Sequence, residues 1–456
     1  MVIRQLSLIL LLSVLLADRS IGQGENVQTP DSPNAARPNI IVILADDLGY
    51  GDTSVYDGWV QTPNLQRMAD EGLTFTDFHT NSSVCSPTRA AFLTGRYQQR
   101  VGIVDVIARH LDTPPLDPGQ RTIAQVLKTQ GYKTALFGKW HLGMKSSSNP
   151  VHFGFDEFRG YLDGYIDYHN HARHWHHNLE IEPQPGYSTH LITQNSVRFI
   201  KDNSHHPFFL YVSHEAVHLP FQTPDDTIEA RKPVAKEDRW KRERIRPKYK
   251  VMLEEMDKGI GEIFSTLRES GIAERTLVFF FSDNGAIGAG SNQPFRGGKF
   301  SHYEGGHRVP AIAWWPGKIR AGSKCDGLAV AMDLLPTFAE IAGGKLTTDA
   351  TSGATGNDLA PDGISLASVL LSGAEPPARQ VFFGYEPKLG TAMRDGLWKM
   401  IVKEDRTQLF HLGRDSGEQD NLVESEGERA ASMRAAIDRW KEETAYRPLN
   451  PAETNQ

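Results

Sequence analysis

The sequence predicts an α/β fold: a large, mostly parallel mixed sheet sandwiched by helices, then a small C-terminal antiparallel-sheet subdomain packed by one helix. Three observations predict it. Four short apolar runs, 39–45 (NIIVILA), 133–137 (KTALF), 207–213 (PFFLYVS) and 276–281 (TLVFFF), have the length and the β-branched or aromatic content of buried parallel strands. Stretches of helical length separate them, the alternation that builds a doubly wound sheet. After Pro377 the texture changes to short strand-like runs at 380–385, 391–394, 397–402 and 407–411, followed by a helix at 427–444.

The chain has 456 residues, enough for one large core and a smaller one. Its apolar content of 39% and charged content of 23% are those of an ordinary globular protein. A net charge of −7 with no run of basic residues argues against nucleic acid as a partner. Residues 1–22 read as a signal peptide, because the apolar stretch 6–17 after Arg4 is too short for a membrane span. The mature protein is therefore expected to be exported, periplasmic or secreted, with no membrane attachment after cleavage. Residues 37–345 read as an N-terminal catalytic domain and 376–447 as the C-terminal subdomain. The Gly/Thr/Ala/Asp-rich stretch 343–363 lies near their boundary.

The first strand runs into Asp46-Asp47-Leu48-Gly49. Two adjacent acids after a buried strand are costly unless paired or on a metal; a turn with a capping Asp is the plainer alternative. Thr62-Pro63 opens a helix that Gly72 closes. Ser86-Pro87 opens another, since a proline in the first turn forfeits nothing. That places Cys85 at a helix N-terminus, where free amides and the helix dipole favour negative charge. Arg89 falls on the same helix face. A helix at 122–130 leads into the second strand and then Gly138-Lys139-Trp140-His141, where Lys139 and His141 share a face if the chain stays extended. Residues 169–177 hold five of the chain's 17 histidines without a closed zinc-ligand set. His169 and His171 are expected at the rim of a substrate pocket, with a solvated loop as the alternative. A helix at 190–202 precedes the third strand, which runs into His214 and His218. Residues 224–247 read as a charged surface excursion and 248–270 as a long amphipathic helix. The fourth strand ends in Asp283-Asn284-Gly285, ahead of Lys299 and a helix at 333–342.

Each of the four apolar runs thus ends in polar chemistry: Asp46/Asp47, Lys139/His141, His214/His218 and Asp283/Asn284. Ligands of open α/β sheets bind outside the carboxyl ends of the strands. Three carboxylates and an amide oxygen are hard ligands that suit Ca²⁺ or Mg²⁺.

The run C-S-P-T-R at 85–89, followed by L-T-G-R at 93–96, resembles the signature of the type I, formylglycine-dependent sulfatases of the alkaline-phosphatase-like superfamily. The resemblance extends over roughly 37–422, with G-K-W-H and V-H-L-P in the family's order. It implies oxidation of Cys85 to formylglycine (3-oxoalanine) by a formylglycine-generating maturation enzyme. It implies one Ca²⁺ on Asp46, Asp47, Asp283 and Asn284, completed by the modified Cys85. It further implies that Arg89 and Lys139 hold the sulfate and the formylglycine, that His218 and Lys299 help protonate the leaving alcohol, and that His141 takes the proton whose loss expels sulfate. His214 is expected to touch the substrate or to pack. Export and the His/Trp-rich segment favour a sulfated carbohydrate of galactose or N-acetylgalactosamine type as substrate. The alternatives are a metal-dependent phosphoesterase or phosphonate hydrolase of the same superfamily, and a non-catalytic binder of sulfated glycans. Cys325 is expected to be a structural or incidental thiol rather than a partner for Cys85.

Overall fold

Alternate residues of the first strand, β1 (Asn39–Ala45), enter different cores: Ile40, Val42 and Leu44 on one side, Ile41, Ile43 and Ala45 on the other. A strand covered on both faces needs a continuous apolar run of this kind. A computed structural model describes residues 37–108, 113–230, 232, 238, 240–344, 346, 360–386 and 389–445. The expected signal peptide and most of the 343–363 stretch lie outside the described residues.

The strands that follow are β2 (Leu73–Phe75), β3 (Phe78–His79), β4 (Lys133–Lys139), β5 (Glu157–Tyr161), β6 (His176–His177), β7 (Glu180–Ile181), β8 (Phe208–Ser213), β9 (Thr276–Ser282), β10 (Ala311–Trp314), β11 (Ser323–Cys325) and β12 (Ala329–Val330). Ten of them form one sheet in the order β11-β2-β10-β9-β1-β8-β4-β5-β6-β7. The central strands β9, β1, β8, β4 and β5 run parallel, whereas β10, β6 and β7 pair antiparallel. The helices are α1 (Pro63–Asp70), α2 (Cys85–Thr94), α3 (Ile123–Thr129), α4 (Ser188–Asp202), α5 (Arg242–Glu269), α6 (Glu304–His307), α7 (Leu334–Ile341), α8 (Ala367–Ser372) and α9 (Gly427–Glu443). Side chains of α2, α3, α7 and α8 join the core on one face of the sheet, and those of α1, α4 and α5 join the core on the other.

The C-terminal sheet is an antiparallel meander of β13 (Gln380–Glu386), β14 (Gly390–Asp395), β15 (Trp398–Lys403) and β16 (Arg406–His411). Met433, Ile437 and Trp440 of α9 cover one face of it, and Ala91 and Tyr97 of the larger layer join the same core.

Two differences from expectation have physical causes. Strands β2, β5, β6, β7, β10 and β11 carry at most five residues each and lack the long apolar run that marks a central strand. Helix α5 begins at Arg242 rather than at 248, with Pro247 inside it. A proline forfeits one backbone donor there, but Ile245, Tyr249 and Met252 bury the same face on both sides of it and hold the turn. Among the described residues no helix is long and apolar enough to cross a membrane.

Candidate active site

Strand β1 lies between β9 and β8, with β4 beyond β8, all four parallel, so their carboxyl ends share one edge of the sheet. Asp46 and Asp47 follow β1, Asp283 and Asn284 follow β9, Lys139 ends β4, and His214 follows β8. Helix α2 brings its first residue, Cys85, to this edge, and Gly95 closes the helix in the left-handed region at φ 66°. A side chain at Gly285 would meet the carbonyl oxygen of Gly305 at 1.8 Å, so the turn after β9 requires glycine.

Three buried acids meet three buried bases here. Lys139 Nζ lies 2.5 Å from Asp46 Oδ2, Arg89 Nη2 lies 2.8 Å from Asp283 Oδ2, and Lys299 Nζ lies 2.7 Å from Asp47 Oδ1. No side chain of the six is more than 5% exposed. These residues fit a hard divalent cation. Asn284 Oδ1 is buried without a hydrogen-bond partner, and ligand atoms of Asp46, Asp47, Cys85 and His218 all lie within 4.8 Å of one another. The acids and bases balance, so a divalent cation would leave the centre positive, a setting that attracts anions. Asp283 spends its oxygens on the Asp47 amide (3.2 Å) and on Arg89.

Burial pushes the Asp47 carboxyl up, but Lys299 and His218 outweigh it and hold the group at about 2. Burial and the neighbouring Asp46 charge raise Asp283 to about 6 despite Arg89. The Cys85 thiol departs from expectation: burial overrides both the helix terminus and the Lys139 and Lys299 charges, and pushes it up to about 12. Its Sγ lies 3.3 Å from Lys299 Nζ and 3.9 Å from Asp46 Oδ1.

His141 and Lys139 do not alternate along a strand. His141 adopts φ 58°, which turns its ring so that Nε2–H donates to the Ile107 carbonyl at 2.9 Å and leaves Nδ1 buried and unpartnered. Burial and the Lys139 and Arg89 charges hold that imidazole well below its ordinary pKa. His218 donates from Nδ1 to the Leu219 carbonyl at 2.7 Å and turns Nε2 toward Asp47 Oδ2 at 3.7 Å. Burial holds it at about 3 although Asp47 pulls it upward. Arg89 grips Asp283, Ser213 Oγ (2.6 Å) and the Lys139 carbonyl (3.2 Å) rather than reaching back along its helix to Cys85.

Residues 38–344 match the family model described as Sulfatase. The chain belongs to the sulfatase family. It is 37% identical over 367 residues to N-acetylgalactosamine-6-sulfatase of Homo sapiens, a match covering 74% of this chain and 66% of that protein. The matched part is thus just under two thirds of the human relative's length. It is 32% identical over 464 residues to arylsulfatase A of Bos taurus, covering 88% of this chain and 87% of that one. The solved structure of Ps i-CgsB in complex with k-i-k-neocarrahexaose superposes with a TM-score of 0.79 at 27% identity, covering 92% of this chain and 96% of that chain.

In this member of the family, Cys85, His141, His218 and Lys299 open onto a cavity of about 1010 Å³. Asp46, Asp47, Arg89, Lys139, Asp283 and Asn284 lie behind them. Three residues expected at the substrate, His214, His169 and His171, do not line the cavity. His214 does not line it: the residue is fully buried and both its ring nitrogens lack partners. His169 donates from Nε2 to the Thr223 carbonyl (2.9 Å), and buried His171 donates from Nε2 to the Gly186 carbonyl (3.1 Å) and packs on Trp175. From that segment Asn170 and His174 line the cavity instead. The sequence reading missed the wall formed by Asp163, Tyr165, Asp167, Trp240 and Arg244. It also missed the backing residues. Ser213 ties Arg89 to Lys139, Glu215 holds the Ile166 amide at 2.9 Å, and Gly164 lies against the His141 ring. Only Trp240, alone among charges in the 224–247 stretch, gave a signal.

Proposed function

We propose that this sulfatase hydrolyses sulfate esters of a carbohydrate of galactose or N-acetylgalactosamine type, with a formylglycine at position 85 and one Ca²⁺. The observation that carries the reading is the setting of Cys85: the first residue of a helix, at the cavity floor, beside Lys299 and Asp46. A thiol held at about 12 is almost wholly protonated at neutral pH and a weak nucleophile, so the unmodified side chain is poorly suited to attack sulfur. The substrate class is supported by the N-acetylgalactosamine-6-sulfatase relative and by the carbohydrate-bound Ps i-CgsB. Maturation by a formylglycine-generating enzyme and export to the periplasm or outside belong to the same proposal.

Oxidised to formylglycine, position 85 supplies a hydrated aldehyde, one hydroxyl of which attacks sulfur while the second drives release of sulfate and restores the aldehyde. Asp46, Asp47, Asp283 and Asn284 would hold the cation, which adds positive charge beside the sulfuryl oxygens. Lys139 and Arg89 fix two of those carboxylates from behind. Lys299 is held protonated by Asp47 and stands 3.3 Å from the position-85 side chain, placed to give its proton to the departing alcohol. His218 keeps its own proton on the Leu219 carbonyl and presents Nε2 as an acceptor that orients Lys299 or the substrate. His141 is neutral, and its free Nδ1 is the base for the second hydroxyl's proton.

The test is the mass of the peptide carrying position 85, from protein produced together with a formylglycine-generating enzyme, followed by sulfate release from sulfated sugars. An aldehyde there and sulfate in solution support the reading. A persistent thiol, or phosphate release outpacing sulfate release on matched esters, overturns it.

A further inference from the structure

The cavity is electrically lopsided. Asp163 and Asp167 stand on the stretch before the histidine-rich segment, whereas Lys232, Arg244 and Lys248 stand on the stretch that opens α5. Two of these bases are already neutralised: Lys248 by Asp226 at 2.5 Å and Lys232 by Glu229 at 2.7 Å. Arg244 has no ion-pair partner among the described residues. Asp238 is within electrostatic reach of it but pairs with Lys241 at 2.5 Å. In a chain of net charge −7, an exposed arginine left unneutralised on a cavity wall invites an anion. Trp240 lines the same cavity, 43% exposed, its ring set edge-on to Phe221 at 6.3 Å. Cys85, by contrast, is 1% exposed at the floor. A cavity of about 1010 Å³ is at the top of the roughly 300–1,000 Å³ range for pockets that hold drug-sized molecules, more room than one sulfated ring needs.

We infer that Arg244 and Trp240 form a second subsite, which holds the neighbouring sugar of an oligosaccharide through a second anionic group. Arg244 clamps that sulfate or carboxylate, and Trp240 stacks on the ring that bears it. Substrates with anionic groups on adjacent sugars are therefore preferred over singly sulfated monosaccharides. The inference rests on the sulfated-carbohydrate reading above.

The test uses the full chain with position 85 confirmed as the aldehyde. Sulfate release is measured from galactose 4-sulfate and N-acetylgalactosamine 6-sulfate, and from the tetrasaccharides that contain them, of ι-carrageenan and chondroitin 6-sulfate. The expected result is a lower KM for the tetrasaccharide than for the monosaccharide of the pair that is cleaved. Arg244→Ala is expected to raise the tetrasaccharide KM about ten- to a hundredfold, the loss of a hydrogen-bonded charge. Monosaccharide kcat/KM should not change, and Arg244→Lys should restore part of the difference. Equal KM values for both sizes, or an equal loss on both in Arg244→Ala, overturn the subsite alone. Release from no member of either pair overturns the carbohydrate reading and the subsite with it.

Discussion

At the scale of single residues, the chemistry depends on groups whose protonation is set by burial. Cys85→Ala removes the side chain proposed as the source of the nucleophile and little volume. Turnover should fall by several orders of magnitude while thermal unfolding hardly moves; a variant that keeps measurable turnover would refute the role of position 85. Gly164→Ala tests His141 without touching it. A methyl at 164 would lie 2.7 Å from His141 Nε2, so the ring must move and kcat should drop about a hundredfold, with unfolding temperature as the control. His214 offers a pH test. Its folded pKa, about 3, lies below the ordinary 6.5 because it is buried. The unfolded chain therefore binds the proton first, and stability is lost as pH falls below about 6.5. At pH 5.5 that loss is roughly 1.4 kcal/mol from this residue. In His214→Leu the acid-side slope of stability, followed by denaturant titration at pH 7.5 and 5.5, should flatten by about that amount.

At the scale of elements, the small C-terminal sheet is tied to the loop that carries Lys299. Helix α6 follows that loop and opens with Glu304, which is fully buried; Lys399 Nζ of β15 lies 2.9 Å from its Oε1 and 2.8 Å from Glu418 Oε1, and Arg394 Nη1 of β14 lies 3.2 Å from its Oε2. Breaking a buried pair strands the partner's charge. Lys399→Met should cost about 3–5 kcal/mol, read as a lower denaturation midpoint, and should also raise the KM for sulfate esters by loosening Lys299. The meander itself was legible, because its strands alternate and its turns are short. The long parallel strands were legible for the opposite reason, an unbroken apolar run. What the sequence hid was contact between distant segments. Asp46 and Asp283 could be placed together because the ends of parallel strands obey a topological rule; Cys85 joined them only through the family resemblance. Arg394, Lys399 and Glu304 carry no such mark, and neither do Gly164 or Ser213. The histidines misled for a related reason: a ring's periodicity does not tell whether it bonds a carbonyl, as His169 and His171 do, or faces the cavity.

At the scale of the whole molecule, charge balance at the centre decides how the protein should answer to loss of the proposed cation. Asp46, Asp47 and Asp283 each have a cationic partner within 2.8 Å, so chelation leaves a neutral cluster, not three repelling carboxylates. The two hydrophobic cores on either side of the sheet hold the fold without it. Chelated protein is therefore expected to stay folded and to lose turnover. Returning Ca²⁺ should restore turnover and raise the unfolding temperature with a logarithmic dependence on concentration, gaining about 2.7 kcal/mol at a hundredfold excess over Kd. Mg²⁺ at equal concentration should do less, because it demands stricter octahedral geometry than four protein ligands on two chain segments supply. Asp283→Asn separates the two effects. It leaves Arg89 buried without its counter-charge and also weakens the cation site. Its unfolding temperature should then fall below that of chelated wild type, and excess Ca²⁺ should recover only part of the gap. Unfolding of the wild type on chelation alone would mean that the three ion pairs do not balance the centre and that the cation is structural.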